Sequence, residues 1–326
     1  MHGIIFSGSS NIRLARKLSE LLGWPFGKIE LSRFSDGETY VNIADNVKGK
    51  NVFVLQSCSH PCNESLMELL IIIDALKRLK PKKITAILPF YAYRRQEKNT
   101  KNGESITACL VARLIETAGA DKVITIDIHT DKILSFFNIP AKNLEATPLF
   151  EEYFKNPLPY PSPFCKGGGR KERIGLVVMA PDKGALADAK RFAKKIHAQV
   201  AWAEKKRGAK HDKIASMKFR GKVRGKNVLI IDDEINTAGT LCEAAKLLKR
   251  SGAKNIFAAC THPVFSGPAV ERLKKSPISQ IIVTNTICLP PKKTKPLAKK
   301  LKIISVAPII ADAIDPVRNP AVVDVR

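Results

Sequence analysis

Short apolar runs alternate with longer segments of helical periodicity along most of this chain. The runs are rich in β-branched residues and apolar throughout, which is the pattern of strands buried on both faces of a parallel sheet. The predicted strands are 3–6, 51–56, 84–88, 122–128, 174–179, 199–203, 227–231, 256–260, 280–285 and 302–306. The predicted helices are 64–79, 106–118, 185–197, 241–251 and 267–274. This alternation predicts an α/β protein with largely parallel sheets flanked by helices.

One segment, 156–173, interrupts the alternation with prolines, three consecutive glycines and then charged residues. Such a composition is typical of a linker or an inserted surface loop. It separates two similar halves, each with an apolar run that ends in acid: VITIDIHT at 123–130 and VLIIDDEINT at 228–237. We therefore expect two domains, 1–147 and 148–313, the second carrying the inserted loop, followed by an irregular tail at 314–326.

The composition narrows the choice of partner and compartment. The 326 residues carry a formal net charge of +25, and 19 Lys or Arg against five Asp or Glu lie in 166–226. This excess predicts an anionic partner: a nucleic acid, a membrane surface or a phosphorylated metabolite. No uncharged apolar run reaches the roughly 18 residues of a membrane span. The seven cysteines include no CxxC pair, which favours reduced thiols and a cytoplasmic location.

The stretch VLIIDDEINTAGT, at 228–240, is the most informative in the chain. Its apolar strand is predicted to end at Ile231, so Asp232 and Asp233 lie at the carboxyl end, where open α/β sheets bind ligands. The small-residue turn that follows leads into a helix, and main-chain amides at a helix N-terminus favour a phosphate. Because the acids would repel that phosphate, they should meet hydroxyl groups or a metal instead. A sugar phosphate satisfies both demands, and a capped turn with two solvated acids is the simpler alternative.

Other common devices for holding a ligand are missing from the sequence. It contains neither GxxxxGK[ST] nor a GxGxxG that follows a strand, so a nucleotide would need another binding device. Cys58, His60 and Cys62 could ligate zinc, but no second Cys/His pair lies at finger spacing. The segment is therefore not predicted to be a zinc site.

The stretch at 228–240 resembles the phosphoribosyl-binding signature of type I phosphoribosyltransferase folds. Four more stretches resemble the ribose-phosphate pyrophosphokinase family: RFSDGE at 33–38, PFYAYRRQEK at 89–98, DIHT at 127–130 and APDKGA at 180–185. The resemblance covers nearly the whole chain, apart from the 156–173 insertion and the last dozen residues. It implies two tandem phosphoribosyltransferase-like domains. The family transfers the β,γ-diphosphoryl group of MgATP to the C1 hydroxyl of ribose 5-phosphate, yielding AMP and phosphoribosyl diphosphate.

The resemblance also implies roles for individual residues. Ribose 5-phosphate would be bound by Arg207, Asp232, Asp233, Asn236, Thr237, Ala238, Gly239 and Thr240, although the family usually has Asp or Ser at the position of Asn236. ATP would be bound by Phe34, Asp36, Gly37, Glu38, Arg95 and Gln96. Mg²⁺ would be held by His129 and Asp182, with help from Asp127. The stretch 202–213 resembles the family's mobile catalytic loop, with Lys205 and Arg207 as its catalytic cations.

The family resemblance further implies assembly. In the family the FSDGE and RRQEK stretches of one ATP site come from neighbouring subunits, so we expect a homo-oligomer, hexameric or built from dimers. Here Glu97 and Asn99 depart from the family's usual residues. Two other functions stay open: a noncatalytic paralogue that regulates or assembles with a true synthetase, and a nonspecific nucleic-acid binder. The aromatic content of 6% and the lack of an RNA-binding module argue against the second, so no specific nucleic acid is expected.

Overall fold

A computed structural model describes residues 3–155, 176–180, 186–207 and 214–316. In these ranges the strands are β1 (Gly3–Ser7), β2 (Ile29–Arg33), β3 (Thr39–Ile43), β4 (Asn51–Leu55), β5 (Lys83–Leu88), β6 (Lys122–Ile126), β7 (Ala141–Leu144), β8 (Leu176–Ala180), β9 (Gln199–Arg207), β10 (Ile214–Arg220), β11 (Asn227–Glu234), β12 (Asn255–His262), β13 (Gln280–Thr284) and β14 (Leu301–Ile304). The helices are α1 (Ile12–Leu22), α2 (Cys62–Arg78), α3 (Thr107–Ala118), α4 (Thr147–Lys155), α5 (Leu186–Lys195), α6 (Gly239–Arg250), α7 (Ala269–Lys275), α8 (Pro291–Thr294) and α9 (Ala307–Ile314).

The described residues form two compact units. The first contains 3–146, 285–288 and 305–316, and the second contains 147–155, 176–180, 186–207, 214–284 and 289–304. The sequence placed all of 285–313 in the second domain. The structure instead returns two of its segments, 285–288 and 305–313, to the first unit.

The first unit is built on a parallel sheet in the order β1-β4-β5-β6-β7. All five residues of β1 are buried, as its uninterrupted apolar run predicts. Helices α2 and α3 contribute Leu69, Ile72 and Val111 to the core beside the sheet. A separate antiparallel pair, β2 and β3, packs against α2. Because the sheet is parallel, the loops after its strands open on one edge.

Polar side chains hold the returning segment in the first unit. Asn11, which immediately precedes α1, donates a hydrogen bond from its side-chain amide to the Asn285 carbonyl at 2.8 Å. The Ser57 hydroxyl donates to the Thr286 carbonyl at 2.6 Å, and both side chains are buried. Helix α9 then packs against α1. A sequence pattern cannot reveal these contacts, because their partners lie more than 200 residues apart.

The second unit is built on a larger sheet in the order β10-β9-β8-β11-β12-β13-β14. Its neighbours pair in parallel except β9 and β10, which form an antiparallel pair. Strand β11 therefore lies inside the sheet, between β8 and β12. Helix α6 buries Leu241, Ala245 and Leu248 in the core of this unit.

The predicted α/β fold class is confirmed, and each predicted strand and helix overlaps an observed one. The sequence missed β2, β3 and β10, whose mixed polar and apolar residues differ from the buried parallel strands, and the short β7. It also missed α1, α4, α8 and α9. Within the described residues, no helix is both long and apolar enough to cross a membrane. The predicted inserted loop at 156–173 lies outside the described residues, as do residues 317–326 of the predicted tail.

Candidate active site

The turn after β11 is shaped by contacts with the neighbouring chain segments. β11 extends three residues past the predicted end, and α6 begins at Gly239. The Asn236 carbonyl accepts a hydrogen bond from Ser266 N–H at 3.0 Å, and the Thr237 carbonyl accepts one from Arg272 Nη1 at 3.0 Å. Ala238 adopts a left-handed conformation with φ of +58°. These contacts fix the direction in which the following main chain points.

The main-chain N–H groups of this turn are available to a ligand. None of the described residues accepts a hydrogen bond from the N–H groups of 236–240, where the chain enters α6. The first N–H groups of a helix have no partner within it, and the helix dipole adds partial positive charge there. The turn can therefore bind an anion through its main chain.

The acids beside the turn lie in the last part of β11. Asp232 and Asp233 are both half-buried, and Asp232 Oδ1 accepts a hydrogen bond from Asp233 N–H at 3.0 Å. Asp232 lies opposite Cys260 in the neighbouring strand. Burial raises the pKa of the Cys260 thiol well above its usual value, and the charge of Asp232 adds to the rise. The buried Asn236 Oδ1 has no hydrogen-bond partner among the described residues, so no contact in the described structure explains an amide oxygen at this position.

The FSDGE stretch forms the tip of the β2–β3 hairpin, with an Asp-Gly turn at its end. Phe34 N–H donates to the Glu38 carbonyl at 2.9 Å, and Asp36 Oδ1 accepts from Glu38 N–H at 3.1 Å. Gly37 has a φ of +97°, which favours glycine. The tip is exposed, and Phe34 keeps 55% of its surface accessible. An exposed aromatic ring beside two carboxylates is suited to contact a partner.

The RRQEK stretch follows β5 and alternates between inward and outward side chains. Arg94 and Glu97 are buried, whereas Arg95 and Gln96 are exposed. The Gln96 side-chain oxygen accepts a hydrogen bond from the Thr107 hydroxyl at 2.6 Å, and the Gln96 carbonyl accepts one from Ala108 N–H at 3.1 Å. The two residues predicted to meet a nucleotide thus face solvent from an anchored loop.

The DIHT stretch follows β6, the strand next to β5. Asp127 has a φ of +40°, and its carboxylate accepts a hydrogen bond from Ala146 N–H at 3.2 Å. His129 is exposed, and the buried Thr130 hydroxyl oxygen has no hydrogen-bond partner among the described residues. Asp182, the other predicted metal ligand, lies outside the described residues.

The donors at this edge fit Mg²⁺ better than a metal that needs a protein cage. In the described part of the chain, no group of three or more His, Cys, Asp or Glu residues could hold a metal ion. Mg²⁺ takes most of its ligands from water and phosphate oxygens, so the imidazole and oxygen donors of 127–130 are compatible with it.

The predicted catalytic cations occupy a strand. Lys205 and Arg207 lie in β9, where they pair with Met217 and Ile214 of β10. The sequence predicted a loop from residue 202 onwards, whereas the structure continues the strand to Arg207. Antiparallel pairing with β10 explains the difference, because it supplies main-chain partners that a lone strand end lacks. Residues 208–213 of the predicted loop lie outside the described residues.

Two residues of the site escaped the sequence reading. Arg94 is almost fully buried, with 2% of its surface accessible, and Arg272 reaches the 236–240 turn from α7. An arginine is usually an exposed residue, so neither position stands out in the sequence.

Comparison with known proteins identifies the family. Residues 3–119 match the N-terminal domain of ribose phosphate pyrophosphokinase, and residues 206–323 match the phosphoribosyl synthetase-associated domain. The chain is 44% identical to the ribose-phosphate pyrophosphokinase of Fusobacterium nucleatum subsp. nucleatum over 315 residues, covering 97% of this chain and 95% of the relative. It is also 44% identical to the enzyme of that name from Bacillus caldolyticus over 310 residues, covering 95% and 93%.

A solved structure shares the fold over the same length. The phosphoribosylpyrophosphate synthetase of Mycobacterium smegmatis superposes with a TM-score of 0.85 at 36% identity, covering 97% of this chain and 99% of that one. Both halves of the chain, their order and their fold thus agree with one family. The chain belongs to the ribose-phosphate pyrophosphokinase family.

Proposed function

We propose that this protein transfers the β,γ-diphosphoryl group of ATP to the C1 hydroxyl of ribose 5-phosphate, giving phosphoribosyl diphosphate and AMP. The observation that carries the proposal is the 236–240 turn, whose main-chain N–H groups are available at the N-terminus of α6. The family membership supplies the reaction, and this turn supplies a place for one of its substrates.

Both ends of ribose 5-phosphate have suitable partners here: the phosphate has the amides of the turn, and the sugar has the two acids beside it. Its phosphate accepts hydrogen bonds from the amides of 236–240, with the Thr237 and Thr240 hydroxyls as further donors. Asp232 and Asp233 then face the ribose hydroxyls, because carboxylates accept hydrogen bonds from hydroxyls and repel phosphate. This division of labour orients the sugar, leaving the C1 hydroxyl to attack.

ATP is assigned to the exposed residues of the first unit. Phe34, Asp36, Gly37 and Glu38 of the hairpin contact the nucleotide, and Arg95 and Gln96 contact it from the loop after β5. A guanidinium neutralises phosphate and stacks on a base, and an amide donates and accepts hydrogen bonds. His129 and Asp182 would hold Mg²⁺, and Asp127 would assist through water. When bound, Mg²⁺ neutralises phosphate charge and orients the triphosphate.

Lys205 and Arg207 stabilise the negative charge of the diphosphoryl group during its transfer. Transfer of a phosphoryl group moves negative charge between oxygens, and fixed cations lower the barrier without forming a covalent bond. The main chain of both residues lies in β9, which pairs with β10. Arg207 also meets the ribose phosphate.

The proposed homo-oligomer has a candidate surface in the first unit. Leu110 and Leu114 are one turn apart on α3, with 50% and 38% of their surfaces exposed. Met67, on the adjoining helix α2, is 55% exposed. Exposed apolar side chains on neighbouring helices mark interaction surfaces. Replacing Leu110 with Asp should therefore lower the particle mass measured by light scattering, and an unchanged mass would place the interface elsewhere.

A turnover assay tests the proposed function. Purified protein incubated with MgATP and ribose 5-phosphate should form AMP and phosphoribosyl diphosphate in equal amounts. Lys205→Ala should lower kcat by about 10²-fold or more, the effect of losing one transition-state partner, with the same thermal midpoint. Absence of AMP with any divalent metal would instead favour a noncatalytic paralogue. Salt-sensitive RNA binding without turnover would favour a nucleic-acid binder. The predicted cytoplasmic location stays a prediction.

A further inference from the structure

Among the described residues, Arg94 is the largest fully buried side chain, and its position in the loop after β5 is unusual for an arginine. Its neighbours Arg95 and Gln96 are exposed, and Glu97 is buried again. The four-residue turn therefore points two side chains into the unit and two out of it. A buried guanidinium loses its hydration, so the fold must return hydrogen bonds to it.

The described contacts of Arg94 lead to the neighbouring strand end. Its Nη1 donates a hydrogen bond to the main-chain carbonyl of Asp127 at 3.1 Å, and its guanidinium carbon lies 5.4 Å from the centre of the Phe90 ring. Asp127 is the first residue after β6. The hydrogen bond therefore joins the loop after one strand directly to the loop after the next.

The main chain at Asp127 needs such support. Its φ of +40° is a left-handed conformation that costs free energy for a residue with a Cβ and persists only when neighbours enforce it. Asp127 N–H donates to the Leu144 carbonyl at 2.9 Å, and Ile128 N–H donates to Asn143 Oδ1 at 3.0 Å. Those bonds hold the two N–H groups, whereas Arg94 holds the Asp127 carbonyl.

Glu97 makes a second link between the same two loops. Its carboxylate lies 3.9 Å from the Lys132 ammonium, just beyond the DIHT stretch, and 3.8 Å from that of Lys98. The exposed ends of both lysines make this pair weaker than a buried one. Arg94 and Glu97, the two inward side chains, thus both contribute contacts that tie 94–97 to 127–132.

We propose that Arg94 is a positioning residue that couples the nucleotide-contacting pair Arg95 and Gln96 to the strand end that carries His129. The proposal rests on the proposed function for the roles of those residues. Nucleotide binding restrains the backbone of 95–96, and the buried guanidinium transmits that restraint to the Asp127 carbonyl. The loop that presents His129 is thereby ordered before a metal ion arrives.

Two substitutions separate this role from simple packing. Arg94→Met keeps most of the buried volume and removes the donor to Asp127, whereas Arg94→Lys keeps a cationic donor. Tyr91→Phe is the matched control, because Tyr91 belongs to the same loop and its buried hydroxyl donates to the Ala108 carbonyl of α3 at 2.8 Å. That control removes a buried hydrogen bond without touching the link to Asp127.

The first readout is hydrogen exchange and needs no turnover. In the full-length protein without metal, saturating AMP should slow exchange of the 127–130 amides at least threefold. Arg94→Met should abolish this slowing when compared at AMP saturation, Arg94→Lys should restore part of it, and Tyr91→Phe should keep it. Equal slowing in wild type and Arg94→Met would overturn the proposal. It would also be overturned if AMP left the exchange rate of the 127–130 amides unchanged in wild type.

The second readout is kinetic. Arg94→Met should raise the KM for MgATP about tenfold and lower kcat, while the KM for ribose 5-phosphate stays within twofold. An equal rise in both KM values would indicate a general loss of structure and overturn the specific role. If wild type makes no AMP, the proposed function fails, yet the exchange experiment still decides whether Arg94 links the two loops.

Discussion

Replacing Arg272 with Ala tests whether the 236–240 turn must be held in place to bind a sugar phosphate. Arg272 Nη1 donates to the Thr237 carbonyl at 3.0 Å. Because Thr237 is exposed, water can replace the lost donor, and the cost should lie within the about 0.5–1.5 kcal/mol of an ordinary hydrogen bond. If this cost is subtracted from the binding free energy of ribose 5-phosphate, its KM rises about two- to tenfold, since about 1.4 kcal/mol is a factor of ten.

Steady-state kinetics with ribose 5-phosphate as the varied substrate gives the measurement. Lys275→Ala is the matched control, since Lys275 lies on the same helix, is exposed and pairs with Glu271 at 2.9 Å without reaching the turn. The assay is repeated at high salt, because a long-range effect of charge on the phosphate would be screened whereas a hydrogen bond would remain. A KM that changes equally in Arg272→Ala and Lys275→Ala would refute the reasoning.

The same contact can be disturbed from the other side. A Cβ added at Gly239 would lie 3.3 Å from Arg272 Nη1, closer than most such contacts allow. Gly239 has no left-handed φ, so Gly239→Ala strains no backbone angle and acts by displacing the guanidinium. It should raise the KM for ribose 5-phosphate in the same direction as Arg272→Ala, and the double variant should show less than the product of the two effects.

Other expectations concern stability and thiol chemistry. Ala238→Val should lower the free energy of unfolding by more than about 1 kcal/mol in urea titrations, because a β-branched residue tolerates the left-handed conformation poorly; Ala238→Gly should stay within about 1 kcal/mol of wild type, since relief of strain offsets one lost buried methyl. Burial raises the pKa of both Cys58 and Cys260 above the usual 9.0. The folded state then keeps protons that the unfolded chain releases, so stability is full below about pH 9 and falls as the pH rises further; a urea midpoint that rises from pH 9 to pH 10 would contradict this. Exposed Cys288 should react with a thiol reagent in the native state, while Cys58 and Cys260 should react only on unfolding.

Strand prediction succeeded where burial and pattern coincide. β8 is apolar at every position and β1 at all but Ser7, because both of their faces are covered, so the run itself marks the strand. β2 and β3 form a hairpin with no fully buried residue, and their polar positions hide them from the same criterion. Hairpin pairing, not local composition, makes these residues strands.

The sequence alone determined the α/β class, the apolar strand that leads to Asp232, and the small residues that let the main chain of 236–240 approach a ligand. Each of these is a local property, written in neighbouring residues. Only the tertiary structure decided that 285–288 joins the first unit, and that Arg94 turns inward to meet the Asp127 carbonyl. Such contacts join residues far apart in the chain. The role of a buried guanidinium can therefore be recognised only when its hydrogen-bond partner is known.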